Sequence, residues 1–215
     1  MAVALTALGG CIPVPKPVSL SGSAFQESRL ALAPDEGIVI VGYSFEDSNV
    51  GMASCVRDAV SHASPKTWMI PLDEFRQAAG GVFAARGDLY DEAVSDALRG
   101  TRSAELNALN VRYVFVVQGS TATNERNRLG YPIVTVVGRW SDDKKTDIQL
   151  TAWDATDGER LESISTSATG VEATTFVGLY IVAGFAPTES RACRDMAGRI
   201  LRFVSGMKQA ERDNS

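Results

Sequence analysis

The stretch that most constrains the fold is residues 111–117, read Val-Arg-Tyr-Val-Phe-Val-Val. It is dense in β-branched and aromatic residues and reads as a central strand. Residues 38–43, Ile-Val-Ile-Val-Gly-Tyr, are apolar without alternation and predict a strand buried on both faces, the first of the domain.

Around these strands the periodicity shifts to helical. Met52, Cys55, Val56, Ala59 and Ala63 form one core-facing stripe on a helix expected from Gly51, with Ser48 or Asn49 as its cap and Ser64-Pro65 as its stop. Residues 67–70 read as a second short strand. Pro71 opens a helical turn with Asp73 and Glu74 at its N-terminal end, where the helix dipole favours acids, and Gly80-Gly81 breaks it. A helix follows over 88–98, ended by Gly100, and a shorter one from Ser103 carries Leu106 and Leu109 inward.

Residues 118–128 read as a polar loop, 133–137 as a strand, and 142–145, Asp-Asp-Lys-Lys, as a solvated turn. Residues 148–153 and 161–167 flank Asp157-Gly158 and predict a hairpin. Residues 171–186 are apolar but interrupted by Gly178 and Gly184, as a strand and loop or as a flap over the core. Thr188 caps a final helix whose stripe is Cys193, Met196, Ala197, Ile200, Val204 and Met207. The expected fold is a single α+β domain over 37–207. Its sheet is mixed or mainly antiparallel, of about five strands, and is packed by the N- and C-terminal helices. Residues 208–215 form a charged tail.

The N-terminal region carries a different signal. Leu8-Gly9-Gly10-Cys11 closes an apolar run and matches the lipobox of bacterial lipoproteins, which makes Cys11 the lipid-bearing residue. Residues 1–10 are then a signal-peptide remnant, and residues 11–36, rich in Pro, Ser and Gly, a flexible tether. Within it, 12–20 read as an extended spacer and 21–36 as poorly ordered. No Lys or Arg precedes Lys16, whereas a secretory signal opens with positive charge, which points to a start upstream of Met1. The plainer alternative is a cytosolic chain with a frayed apolar N-terminus.

Composition excludes some classes. With 45% hydrophobic and 22% charged residues, wholesale disorder is not expected. A net charge of −5 offers no global basic field for nucleic acid. No apolar run reaches the roughly 20 residues of a membrane-spanning helix.

Three cysteines are an odd count for an exported chain. Lipid on Cys11 leaves Cys55 and Cys193, each on the apolar stripe of its helix, as a candidate disulfide. The alternative is two buried thiols acting as small hydrophobes. They do not suit a metal, because zinc sites need closely spaced Cys and His and the only histidine is His62. His62 lies near a helix end, where its charge suits the dipole. No G-x-S-x-G elbow and no P-loop occurs, so Gly119-Ser120-Thr121 reads as loop. Asp154, Asp157 and Glu159 read as turn residues rather than a calcium loop. No cofactor is implied. Phe176, Leu179, Tyr180, Ile181 and Phe185 are too apolar for a free loop. They are either core or an exposed surface that meets a partner, or the membrane near the anchor.

Several segments are similar to a family of uncharacterised bacterial lipoproteins. They are Cys55-Val56-Arg57-Asp58-Ala59, Pro71-Leu72-Asp73-Glu74-Phe75-Arg76, Val111-Arg112-Tyr113-Val114, Thr151-Ala152-Trp153-Asp154 and Ala186-Pro187-Thr188-Glu189. That resemblance covers the chain from about Gly37 to Phe203 and implies a compartment rather than an activity. More distantly, the order of elements resembles the periplasmic domains of curli-assembly-type lipoproteins and penicillin-binding-protein activators. Long alternating hairpins of the kind that build a membrane pore are not legible, so secretion-channel function is not carried over.

The expected function is that of a lipid-anchored accessory or binding protein on the periplasmic side of a bacterial membrane. It has no catalytic activity of its own, and its partner is an envelope protein or a cell-wall component. The alternative is an envelope enzyme of hydrolase type, with polar groups converging around Ser120, His62 or Asp154.

Overall fold

The structure, a computed structural model, describes residues 18–23, 25, 31–44, 47–83, 88–100, 103–129, 137–177, 180–184 and 187–206. Cys11, Leu179, Phe185 and the 133–136 part of one expected strand lie outside the described residues.

The described residues form one mixed sheet. Its strands are β1 (Ser19–Gly22), β2 (Gly37–Gly42), β3 (Val111–Leu129), β4 (Val137–Asp154), β5 (Glu159–Val177) and β6 (Tyr180–Gly184). The spatial order is β1-β5-β4-β3-β2, with β6 pairing the far part of β5. β2 runs parallel to β3, and β3, β4 and β5 form an antiparallel meander. The fold is thus a single α+β domain with a mixed sheet.

Two helices cover one face. α1 (Asp47–Ala63) and α5 (Thr188–Val204) bury Met52, Val56, Val60, Met196 and Ile200 against Ile38, Ile40, Tyr113, Phe115, Val117, Ile148, Leu150 and Ile164. The other face of β2 and of the first half of β3 is covered by α2 (Leu72–Ala79), α3 (Asp91–Arg99) and α4 (Ser103–Ala108). These carry Phe75, Val94, Leu98 and Leu106 onto Val39, Val41, Val114, Val116 and Trp153. Burial on both faces is why residues 38–41 and 113–117 are apolar without alternation. β4 and β5 are covered on one face only over this region and alternate accordingly. Ile148, Leu150 and Ala152 are buried, while Asp147, Gln149 and Thr151 keep some exposure.

The breaks fall where backbone chemistry requires. Gly80 and Gly81, at φ 49° and 52°, end α2, and Asn110 at φ 52° follows α4 in the left-handed region that Asn tolerates. Residues 155–158 turn β4 into β5, with Gly158 at φ 66°.

Several expectations are corrected. The sheet reaches further back than Gly37: Ser19–Gly22 pairs with residues 166–169 of β5. Phe25 stacks 4.3 Å from Phe203, and the Leu32 N–H donates to the Val204 carbonyl at 3.0 Å. The described part of the expected tether is therefore docked, by an edge pairing that its Ser-rich composition hides and by Phe25 and Leu32, whose apolar side chains lead one to expect contact with the domain. Residues 67–70 form no strand, and only Met69 bridges Ile38. The buried stripe of α1 is Met52, Ala53, Val56 and Val60, whereas Ala63 is exposed and Cys55 and Ala59 are half-buried. The helix starts at Asp47, one turn before Gly51, and is rotated slightly from the expected face.

The largest correction concerns length. Residues 118–128 continue β3, and 142–145 lie inside β4, where Asp143 faces Asn124 on one side and Val171 on the other. β3, β4 and β5 run for 19, 18 and 19 residues, so the hairpins are long after all. Past the helical layers the strands are only partly covered, and half-buried polar residues are tolerated on them. They then carry the same Asp, Asn, Lys and Thr residues as a turn, and the alternation disappears.

Candidate functional site

The chemistry-bearing residues separate into three places. The first is the seam between α1 and α5. Cys55 and Cys193 are joined there by a disulfide, with Cα atoms 5.9 Å apart. Beside it lies an open groove of about 770 Å³ lined by Ser54, Asp58, His62, Ser190 and Arg194. His62 is exposed in the last turn of α1, and its Nδ1 lies 2.8 Å from the Asp58 carbonyl oxygen. Arg194 Nε donates to the Ser190 carbonyl at 3.2 Å. Both side chains are thus turned onto their own helices.

The second is a polar shelf on the sheet face away from α1 and α5. The register aligns Gln118 with Gln149 and Ser165, and Ser120 with Asp147 and Ser167. Together they bound a depression of about 430 Å³. Asn49 holds its edge: Nδ2 donates to Ser44 Oγ at 2.8 Å, and Oδ1 accepts the Gly119 N–H at 3.0 Å. That N–H lies just past the end of β2, so the Asn49 side chain continues the work of the missing strand. Asn49 was expected as a helix cap and instead ties α1 to β3, a role that its position in sequence does not signal. Burial pushes the Asp147 carboxyl up, but hydrogen bonds from Lys145 and Ser167 and the Lys145 charge outweigh it and hold the group below the usual range. The Lys145 Nζ lies 2.8 Å from Asp147 Oδ2.

The third is the turn at the opposite end of β4. Asp154 pairs with Arg112 at 2.8 Å and accepts the Thr156 N–H at 2.9 Å, and Asp157 accepts the Glu159 N–H at 2.8 Å. These carboxylates are spent on the turn and on β3. Among the described residues, no cluster of three or more His, Cys, Asp or Glu is arranged for a metal ion.

Ser120, His62 and Asp154 are therefore not brought together. Ser120 lies on the shelf and His62 on the α1–α5 seam. Asp154 faces Tyr113, seven residues along β3 from Ser120, or about 24 Å. Phe176 lies in β5, and Tyr180 and Ile181 in β6, where Phe176 pairs Ile181 and Val177 pairs Tyr180. They are strand residues at the far end of the meander rather than parts of a loop.

No protein-family model and no curated protein matches the chain. Among solved structures, it is similar to the PelC dodecamer from Paraburkholderia phytofirmans in two crystal forms. One, of a single-substitution variant, shows 13% identity over 88% of this chain and 99% of that one, with a TM-score of 0.36. The other shows 13% identity over 90% and 99%, with a TM-score of 0.33. It is also similar to the hypothetical protein CT253 from Chlamydia trachomatis, at 11% identity over 79% and 98% and a TM-score of 0.39.

Proposed function

We propose that this chain is a lipid-anchored accessory protein of a bacterial envelope, and that it acts by binding an envelope protein or a cell-wall component. The observation that carries the reading is the bond between Cys55 and Cys193 across 138 residues. Structural disulfides persist in oxidising compartments and are rare in the cytosol, so the bond supports export. It also accounts for two of the three cysteines and leaves Cys11, within Leu8-Gly9-Gly10-Cys11, for the lipid. Ser120 lines the open shelf, His62 the open groove on the seam, and Asp154 is engaged by its turn, so none of the three lies in a deep pocket, which supports binding over hydrolysis.

The test is expression in a bacterium with an exported leader, followed by fractionation and mass spectrometry. Cys11 is expected to carry acyl chains in the membrane fraction, and Cys11→Ala to release the protein. A soluble product with an unmodified Met1 would overturn the reading.

A further inference from the structure

Beyond the helical layers the meander continues as a ribbon whose far rows are apolar. One row aligns Val137, Val177 and Tyr180, and the next aligns Gly138, Phe176 and Ile181. Behind them stand Arg139 beside Leu129 and Trp140 beside Arg128.

The helices run away from this end. Thr188, the first residue of α5, meets Thr146, and α1 begins where Asn49 meets Gly119. At their other ends, Ser64 and Val204 lie together near Trp68, by the start of β2. Charge is distributed in the same sense. From the row of Arg128, Trp140 and Thr174 outward the sequence holds Arg128 and Arg139 and no Asp or Glu, whereas Glu125, Asp142 and Glu172 share a row further back.

The path of the N-terminal segment says what this end faces. β1 is antiparallel to β5, with Ser19 opposite Thr169 and Gly22 opposite Thr166. Chain preceding Ser19 therefore arrives from the ribbon's far side. Eight residues separate Cys11 from Ser19, a reach of at most about 28 Å. Eight residues of β5 also separate Thr169 from Val177, a rise of about 27 Å. A lipid on Cys11 can lie at the level of the ribbon's end and scarcely beyond it.

From this match of lengths, together with the basic, aromatic composition of the end rows, we infer that the far end of the β3–β6 ribbon seats on the surface of an anionic phospholipid bilayer. The inference rests on the lipid-anchor reading for its orientation. Trp and Tyr favour the headgroup level, and Arg favours anionic lipid. The ribbon end is then a second membrane contact.

The test uses the full chain with Cys11→Ser, so that no acyl chain contributes. It is mixed with vesicles of phosphatidylglycerol and phosphatidylethanolamine, or of phosphatidylcholine alone. Flotation with the anionic vesicles is expected, with tryptophan quenching by brominated acyl chains that disappears in Trp140→Phe. Arg128→Gln with Arg139→Gln should weaken partitioning about thirtyfold. The near-ultraviolet signal of Tyr113, Phe115 and Phe203, whose rings pack together in the core, reports that each variant is folded. A folded chain that stays out of both vesicle types, or that floats without quenching of Trp140, overturns the inference. Either result leaves the acylation of Cys11 in cells untouched. Conversely, an unmodified Cys11 refutes the anchor without altering what the vesicles report.

Discussion

The sulfurs of Cys55 and Cys193 are bonded, which places Cα atoms that are 138 residues apart in sequence within 5.9 Å of each other. The bond joins the first long helix to the last, across the face where both pack on β2 to β5. Closing so long a loop restricts the unfolded chain by about 4–5 kcal/mol in the chain-entropy account, as an upper figure. Cys55→Ser with Cys193→Ser is therefore expected to lower the urea midpoint substantially, and wild-type protein under reducing conditions should move towards the same value. Unchanged midpoints would show that the bond contributes nothing to the domain.

Thr188 and Thr146 make a second link between the helical layer and the sheet. Both are fully buried, and the Thr146 hydroxyl donates to Thr188 at 3.0 Å. Thr146 Oγ1 also lies 3.1 Å from Thr121 Oγ1 and can turn its hydroxyl there, so Thr188→Val should cost about 0.5–1.5 kcal/mol, the net worth of one hydrogen bond. Thr146→Val with Thr188→Val should cost less than the sum of the single changes. Urea unfolding of the four proteins forms the cycle, and strict additivity would mean that the two hydroxyls act independently.

Gly158 should resist substitution. Its φ of 66° suits glycine, and an added Cβ would meet Arg99 Cγ at 2.6 Å and the Ser95 carbonyl oxygen at 2.9 Å. α3 also docks on this turn, because Ser95 Oγ donates to the Gly158 carbonyl at 2.9 Å and Arg99 Nε to that of Asp157 at 2.8 Å. Gly158→Ala is expected to cost about 2–3 kcal/mol, from backbone strain and from displacement of α3. Faster amide exchange in α3 would be the local signature, and exchange unchanged from wild type would count against it.

The shelf makes a small acid-limb contribution to stability. The Asp147 carboxyl is held below its ordinary range in the fold, so its contribution is present above the unfolded value near pH 3.9 and is lost as pH falls through the lower folded value. Asp147→Asn should therefore flatten the stability profile below about pH 4 and leave its shape at neutral pH unchanged. Because the Lys145–Asp147 pair is about half exposed, at 52% and 48%, the effect should also shrink with added salt. Thermal midpoints across pH, at low and high salt, measure both.

The buried strands were legible in the sequence. Residues 38–41 and 113–117 are covered on both faces, and such burial leaves no position for a polar residue. The closing helix was legible for a related reason: Cys193, Met196, Ala197, Ile200 and Val204 repeat at helical spacing because one side of α5 faces the sheet. The ribbon was not legible. Asp142, Asp143 and Lys144 are half-buried and Lys145 exposed strand residues beyond the helices, and composition there reports partial access to water rather than backbone geometry. The docking of Ser19–Gly22 was also hidden, since an exposed edge strand of Ser, Leu, Ser and Gly is held by its partner's backbone.

By itself, then, the sequence determined the α+β class, the identity of the core strands, and the candidate pairing of Cys55 with Cys193, because burial and helical period leave local marks. Only the tertiary structure decided the length of the hairpins, the separation of Ser120, His62 and Asp154, and the tie from Asn49 to Gly119. It alone set the tether's reach against the ribbon's rise. These depend on register and on the end of one strand relative to another, and a strand pairs through backbone groups that every residue carries alike.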